Sequence, residues 1–238
     1  MPQCNGIQKL KINPTQECFI ECLEEMQNAV AIDCGGPDPF RIPGRGKKGE
    51  LSFRNSLIAL RTVPLYNEES FIITHSEAGV YREGIAGKVS ADLLGLWHKD
   101  STRLCVAELK AGEKGDNIIY ALAEGLRNLL LHASPVGMRR LREGWKNSKK
   151  DKVILNAWGK GNPFMGGKGR LKKLCLLVIG DEAWILQQSV HRGSAEKVIS
   201  IIKKRFLNLD VQVYSFNKKA KPDSKPYMLL PLRKWLCV

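Results

Sequence analysis

The chain has 238 residues, 43% hydrophobic and 26% charged, an ordinary globular composition with enough apolar material for one sizeable core. No apolar run approaches the roughly 20 residues that cross a bilayer, which argues against a membrane-spanning helix. The net charge of +14 points to a polyanionic partner, nucleic acid first and an anionic membrane surface second, and no basic amphipathic helix or lipidation signal supports the membrane. The opening residues, MPQCNGIQKLKINP, lack a secretory core segment, so the expected location is cytoplasmic: intracellular and associated with nucleic acid.

Residues 15–31, TQECFIECLEEMQNAVA, are predicted to be helical, with Cys18, Phe19, Cys22, Leu23, Met26 and Val30 on one apolar face and Thr15 as N-cap. The seven cysteines include no C-x-x-C pair, so free and mostly buried thiols are expected rather than a metal cluster. Residues 34–50 read as a loop rich in Gly, Pro and basic residues, and 51–65 as a mixed segment without a clear period. FIITH (71–75) and GVYRE (79–83) are predicted as two short strands, KVSADLLGLW (88–97) as a third and RLCVAELKA (103–111) as a fourth, the last two joined by the turn HKDST. GDNIIYALAEGLRNLLLHA (115–133) is predicted as a helix burying Ile118, Ile119, Leu122, Leu126, Leu129 and Leu130. KVILNAW (152–158) and KLCLLVIGDEAWIL (173–186) read as strands, GSAEKVISIIKKRF (193–206) as a helix, and VQVYSF (211–216) and YMLLPL (227–232) as closing strands. The order predicts an α/β fold, a mixed β-sheet flanked by helices, within one domain spanning 1–238.

The strand at 103–111 is apolar on both faces, the mark of a strand covered on both sides, yet it carries Glu108 and Lys110. An unpaired buried carboxylate costs several kcal/mol, so something must be bound or paired there. If HKDST is the loop, Trp97 stands opposite Arg103, and antiparallel register sets Asp92 opposite Glu108. Facing side chains in such a ladder lie about 5 Å apart, too close for two charged carboxylates without a cation between them. Mg²⁺, which prefers hard oxygen ligands and takes one or two carboxylates, satisfies that requirement. Lys110, on the same face as Glu108, can hold or deprotonate a water or stabilise charge on a phosphate.

The stretch SADLLGLWHKDSTRLCVAELKAG, Ser90–Gly112, with the helix near 117–131, resembles the PD-(D/E)xK nuclease superfamily, which includes many restriction endonucleases and Holliday-junction resolvases. Ala91 stands where the name-giving proline would be. The resemblance covers a motif core at about 15–131 and a strand near 173–180, with the basic C-terminal half completing a restriction-endonuclease-like sheet. It implies that Asp92, Glu108 and the backbone carbonyl of Leu109 bind Mg²⁺, with Mn²⁺ able to substitute. Lys110 would position the attacking water. The implied activity is metal-dependent hydrolysis of phosphodiester bonds by an endonuclease, in double-stranded or branched DNA rather than RNA. The alternative is a catalytically silent nucleic-acid-binding module on the same fold. Many such nucleases dimerise to cut both strands, so a homodimer is compatible with this reading. Members often carry a further acid on the first helix, and Glu25 is the preferred candidate, with Glu83 a rival from a neighbouring strand. Tyr120 is expected to pack in the core and Glu124 to lie at the surface.

Three basic segments are candidates for contact with nucleic acid: Arg45, Lys47 and Lys48; Arg139, Arg140 and Arg142; and Lys168, Arg170 and Lys172. The first and third are glycine-rich loops in which backbone can approach phosphates closely. The second carries Leu141 and Trp145 at helical spacing, which predicts a helix exposing its basic side chains. His75, His98, His132 and His191 have no partner at ligand or catalytic spacing and are expected in turns or at the surface. GKGNPFMGGKGR lacks the G-K-[ST] ending of a nucleotide-binding P-loop.

Overall fold

A computed structural model describes residues 6–32, 49–60, 62–65, 69–83, 88–98, 103–112, 115–147, 164 and 173–216. A 3₁₀ turn (Gly6–Gln8) leads into α1 (Lys9–Ile12) and α2 (Gln16–Gln27). Then come β1 (Ala31–Ile32), α3 (Gly49–Leu60), β2 (Thr62–Pro64), β3 (Ser70–Arg82), β4 (Lys88–His98) and β5 (Arg103–Lys110). The chain continues through α4 (Ile118–Ala133), α5 (Pro135–Asn147), β6 (Lys173–Asp181), α6 (Glu182–Gln187), α7 (Arg192–Arg205) and β7 (Leu209–Phe216).

The strands form one seven-stranded mixed sheet in the order β1-β3-β4-β5-β6-β7, with β2 also paired to β3. β4 runs antiparallel to both of its neighbours, β3 and β5, while β5, β6 and β7 are mutually parallel. The switch follows from the connections. A short loop can reverse β4 into β5, whereas a parallel return from β5 to β6 needs a crossover, which α4 and α5 supply.

Helices cover both faces. On one, α2, α4 and α7 bury Phe19, Met26, Leu122, Leu126 and Ile199 against Leu94, Leu104, Val106, Leu176 and Val178. On the other, Phe53, Leu57 and Ile58 of α3 pack on Phe71, Trp97, Cys105, Ala107, Leu177 and Ile179. Successive β5 residues therefore alternate between two apolar layers, and every residue from Leu104 to Lys110 is buried. The mixed α/β class expected from the sequence is what the chain adopts.

Several segments depart from expectation. The two predicted strands at 71–75 and 79–83 are one continuous strand, β3, with a register irregularity between Ile73 and His75. A bulge of this kind carries the polar Ser76-Glu77 stretch through the sheet where alternation suggested a turn. The mixed segment 51–65 resolves into α3 and β2. The strand predicted over 173–186 stops at Asp181, whose side chain accepts the Trp184 N–H at 2.9 Å and opens α6; the acid N-cap outweighs the apolar run after it. The first helix ends at Gln27, and Thr15 caps it by accepting from Cys18 N–H. His75 and His132, expected at the surface, are buried, the first lying 6.1 Å from the Phe164 ring. Strands predicted at 152–158 and 227–232 lie outside the described residues.

Candidate metal and phosphodiester site

The β4–β5 hairpin sets the site. Trp97 pairs with Arg103 and the register continues to Leu93 opposite Ala107, so the next position brings Asp92 to Glu108. The ladder ends there because Asp92 uses its side chain in place of backbone, Oδ2 accepting the Leu109 N–H at 2.8 Å. The Asp92 carboxylate acts electrostatically on Glu108.

Glu108 is only 2% exposed and lies under α4. Asn128 Nδ2 donates to its Oε1 at 2.6 Å and to the Ser90 carbonyl at 3.1 Å, tying α4 to both strands. Gly125 allows this approach: a Cβ there would stand 2.8 Å from Glu108 Cγ and 2.4 Å from Leu176 Cδ1. Burial raises the proton affinity of Glu108 well above the ordinary carboxylate range, and the negative charges of Asp92 and Glu124 raise it further. Burial raises Asp92 as well, against the opposing pull of Lys110 and the Leu109 N–H.

Lys110 is 6% exposed and donates to Glu124 Oε2 at 3.0 Å. Burial pulls its proton affinity down, but Glu124, Glu108 and Asp92 together outweigh that effect, so the ammonium holds its proton more tightly than a free lysine. Glu124, expected at the surface, is thus turned toward the site instead. It also accepts from Tyr120 Oη at 3.3 Å and lies 3.9 Å from Arg127. Tyr120 is buried as expected, and Gln8 Nε2 donates to its oxygen at 3.2 Å. Immediately beyond β5, Gly112 turns with φ 76 and its N–H donates to Asp181, a backbone conformation that glycine adopts without strain.

Glu25 and Glu83 are placed elsewhere. Glu25 spends one oxygen on the Gly6 N–H and the other on Arg82, each at 2.9 Å. Glu83 is exposed beyond the end of β3. Among the described residues, no group of three His, Cys, Asp or Glu side chains gathers at metal-ligand spacing. The hairpin offers two carboxylates, hard donors in the number that Mg²⁺ takes from protein.

Sequence reading passed over Arg54, Gly125 and Asn128. Asn128 carries a signal in retrospect, since it lies four residues from Glu124 and shares its helix face. Arg54 Nη2 lies 2.9 Å from Glu77 Oε1 and its Nη1 3.8 Å from Asp92 Oδ1. Glu77 adopts φ 49, a left-handed conformation that costs a non-glycine residue about 1–2 kcal/mol. Its carboxylate is 44% exposed, and an ion pair that open returns about 0–1 kcal/mol.

Of the basic candidates, Arg139 is exposed on α5. Arg140, expected on the same open face, is 7% exposed, and Arg142 donates Nε–H to the Phe164 carbonyl at 2.8 Å. Arg45, Lys47, Lys48, Lys168, Arg170 and Lys172 lie outside the described residues. Among those described, no helix is long and apolar enough to cross a membrane. No family model, curated protein or solved structure matches the chain.

Proposed function

We propose that this chain is a metal-dependent nuclease on a restriction-endonuclease-like fold, hydrolysing phosphodiester bonds in DNA with Mg²⁺, for which Mn²⁺ can substitute. The observation that carries the reading is the pair of carboxylates, Asp92 and Glu108, pressed together at the end of a buried hairpin with Lys110 beside them. Asp92, raised in proton affinity by burial, and Glu108, raised by burial and by the charge of Asp92, are costly to ionise, and a divalent cation removes that cost. The placement of the acids also supports it: Asp92 lies on β4 and Glu108 on the next strand, β5, with α4 following, as the sequence resemblance implies.

Asp92, Glu108 and the Leu109 carbonyl would hold the cation, which when bound activates a water and polarises the scissile phosphate. Asp92 is aimed by the Leu109 N–H, and Glu108 by Asn128. Glu124, Glu108 and Asp92 favour the protonated form of Lys110, which suits it to donate. Its ammonium, fixed by Glu124, orients the attacking water and stabilises the charge that builds on the phosphate oxygens. The water oxygen attacks phosphorus and gives up a proton to solvent, the bond to the leaving oxygen breaks, and that oxygen takes up a proton from solvent. The polycationic chain favours nucleic acid as the bearer of the phosphodiester.

The test is a labelled duplex incubated with purified protein and Mg²⁺ or Mn²⁺. Fragments that disappear with chelator support the reading. Tight binding without any cleavage in either metal would instead identify a silent binding module.

A further inference from the structure

The nuclease reading leaves one cation at the site without a task. Arg54 projects from the middle of α3, on the opposite side of the sheet from α4, and only 11% of its side chain is exposed. In the β3–β4 register Glu77 and Asp92 fall opposite one another, between the pairs Ser76–Leu93 and Ala78–Ala91. The guanidinium therefore rests against two carboxylates on neighbouring strands, one of them a proposed cation ligand. Its contact with Asp92, at 3.8 Å, is too long for a hydrogen bond. Its Nε is buried and meets no acceptor among the described residues. The open ion pair with Glu77 returns less than the left-handed backbone at Glu77 costs, so stability does not account for the arrangement. Backbone conformations of this kind persist where function uses them.

We propose that Arg54 is a phosphate-binding residue of the site: on substrate binding its guanidinium moves from Glu77 to a non-bridging oxygen of the phosphodiester beside Asp92. This rests on the nuclease reading for the identity of the anion. Three features suit Arg54 to the role. Its donors form a planar fork matched to phosphate oxygens. Its present partner is solvent-facing and readily exchanged. Lys110, another cation against the acids, is held in place by Glu124. No bond to Arg54 forms or breaks; it keeps its protons and opposes the charge that grows on the phosphate oxygens as the water attacks.

Duplex binding is measured across a salt series in a Glu108→Gln background, so that cleavage does not interfere. Adding Arg54→Gln should weaken binding about tenfold for all sequences alike and reduce the slope of log affinity against log salt by about 0.9, the loss of one phosphate contact. Arg54→Lys keeps the charge and should restore the slope. With Glu108 intact, Arg54→Gln should lower single-turnover cleavage by about 10²- to 10³-fold while leaving Mn²⁺ affinity in the absence of DNA unchanged. A salt slope indifferent to Arg54→Gln overturns the proposal, as does a loss of Mn²⁺ binding, which would make Arg54 a support for Asp92. If Arg54→Gln fails to fold, Arg54→Lys decides: cleavage reduced by about tenfold or more through loss of the fork supports the proposal, and parental cleavage overturns it. An Arg54-dependent salt slope in a protein that never cleaves would overturn the nuclease reading and leave the phosphate contact standing.

Discussion

Replacing Glu108 with Gln should stabilise the cation-free protein at neutral and alkaline pH. The substitution keeps the shape of the side chain and its acceptor oxygen for Asn128, and the new amide can donate to Asp92. What it removes is a negative charge that is 2% exposed and stands against a second carboxylate. Glu108 binds its proton more tightly folded than unfolded, so its contribution to stability is fully present below the unfolded value near pH 4.3 and is lost as pH rises through the folded value. Each unit by which the folded value is raised corresponds to about 1.4 kcal/mol. Removing that charge is expected to give a gain of roughly 1–3 kcal/mol at pH 8, or about 2–12 °C in melting temperature for a chain of this size. The assay is thermal unfolding of parent and variant in chelator from pH 4 to pH 8.5. The melting curves should nearly coincide at pH 4 and separate progressively above pH 5, with the variant the more stable. Millimolar Mg²⁺ or Mn²⁺ should raise the parent and close the gap. A variant less stable than the parent at pH 8 in chelator would refute the reasoning, because it would mean that the buried charge is already compensated without a cation.

Other consequences are as direct. Gly125→Ala should destabilise by about 1–3 kcal/mol through overpacking against Glu108 and Leu176, measured by chemical denaturation; an unchanged midpoint would contradict the close approach of α4 to β5. Asp181→Ala should cost about 1 kcal/mol or more by uncapping α6 and releasing the Gly112 N–H. Arg139→Glu should weaken DNA binding with little change in melting temperature. Arg140→Ala, by contrast, should lower the melting temperature because that side chain is 7% exposed and loses packing when truncated. Glu124→Gln should reduce the cleavage rate more than substrate affinity, since it loosens Lys110 rather than the phosphate contacts.

The hairpin was legible because its evidence is local. Five turn-forming residues between two apolar runs determine which residues face each other, and Trp97 opposite Arg103 carries Asp92 to Glu108 without further information. The α/β class was equally readable, from buried runs alternating with amphipathic helices. What stayed hidden depends on contacts distant in sequence. Helical spacing places Glu124 on a face but does not say that Lys110 will lie beneath it. Glu25 sat at the edge of an apolar face that could have met the acids, and Arg82 claimed it instead. Arg140 follows the basic pattern of α5, yet tertiary packing closes over it. The continuity of β3 was invisible because a bulge shifts the alternation on which strand recognition relies. α3, and Arg54 with it, had no clear period because the helix lies close in sequence to the short strand β2 and the two patterns overlap.

The most direct measurement is single-turnover cleavage of an end-labelled duplex, run side by side with the parent protein and with the Asp92→Ala, Glu108→Ala and Lys110→Ala variants, in Mg²⁺, in Mn²⁺ and in chelator. The account predicts cleavage by the parent in either metal and none in chelator. It predicts loss of cleavage in all three variants, with DNA binding largely retained and cation binding kept only by Lys110→Ala. A Glu108→Ala protein that cleaves at the parental rate would contradict it.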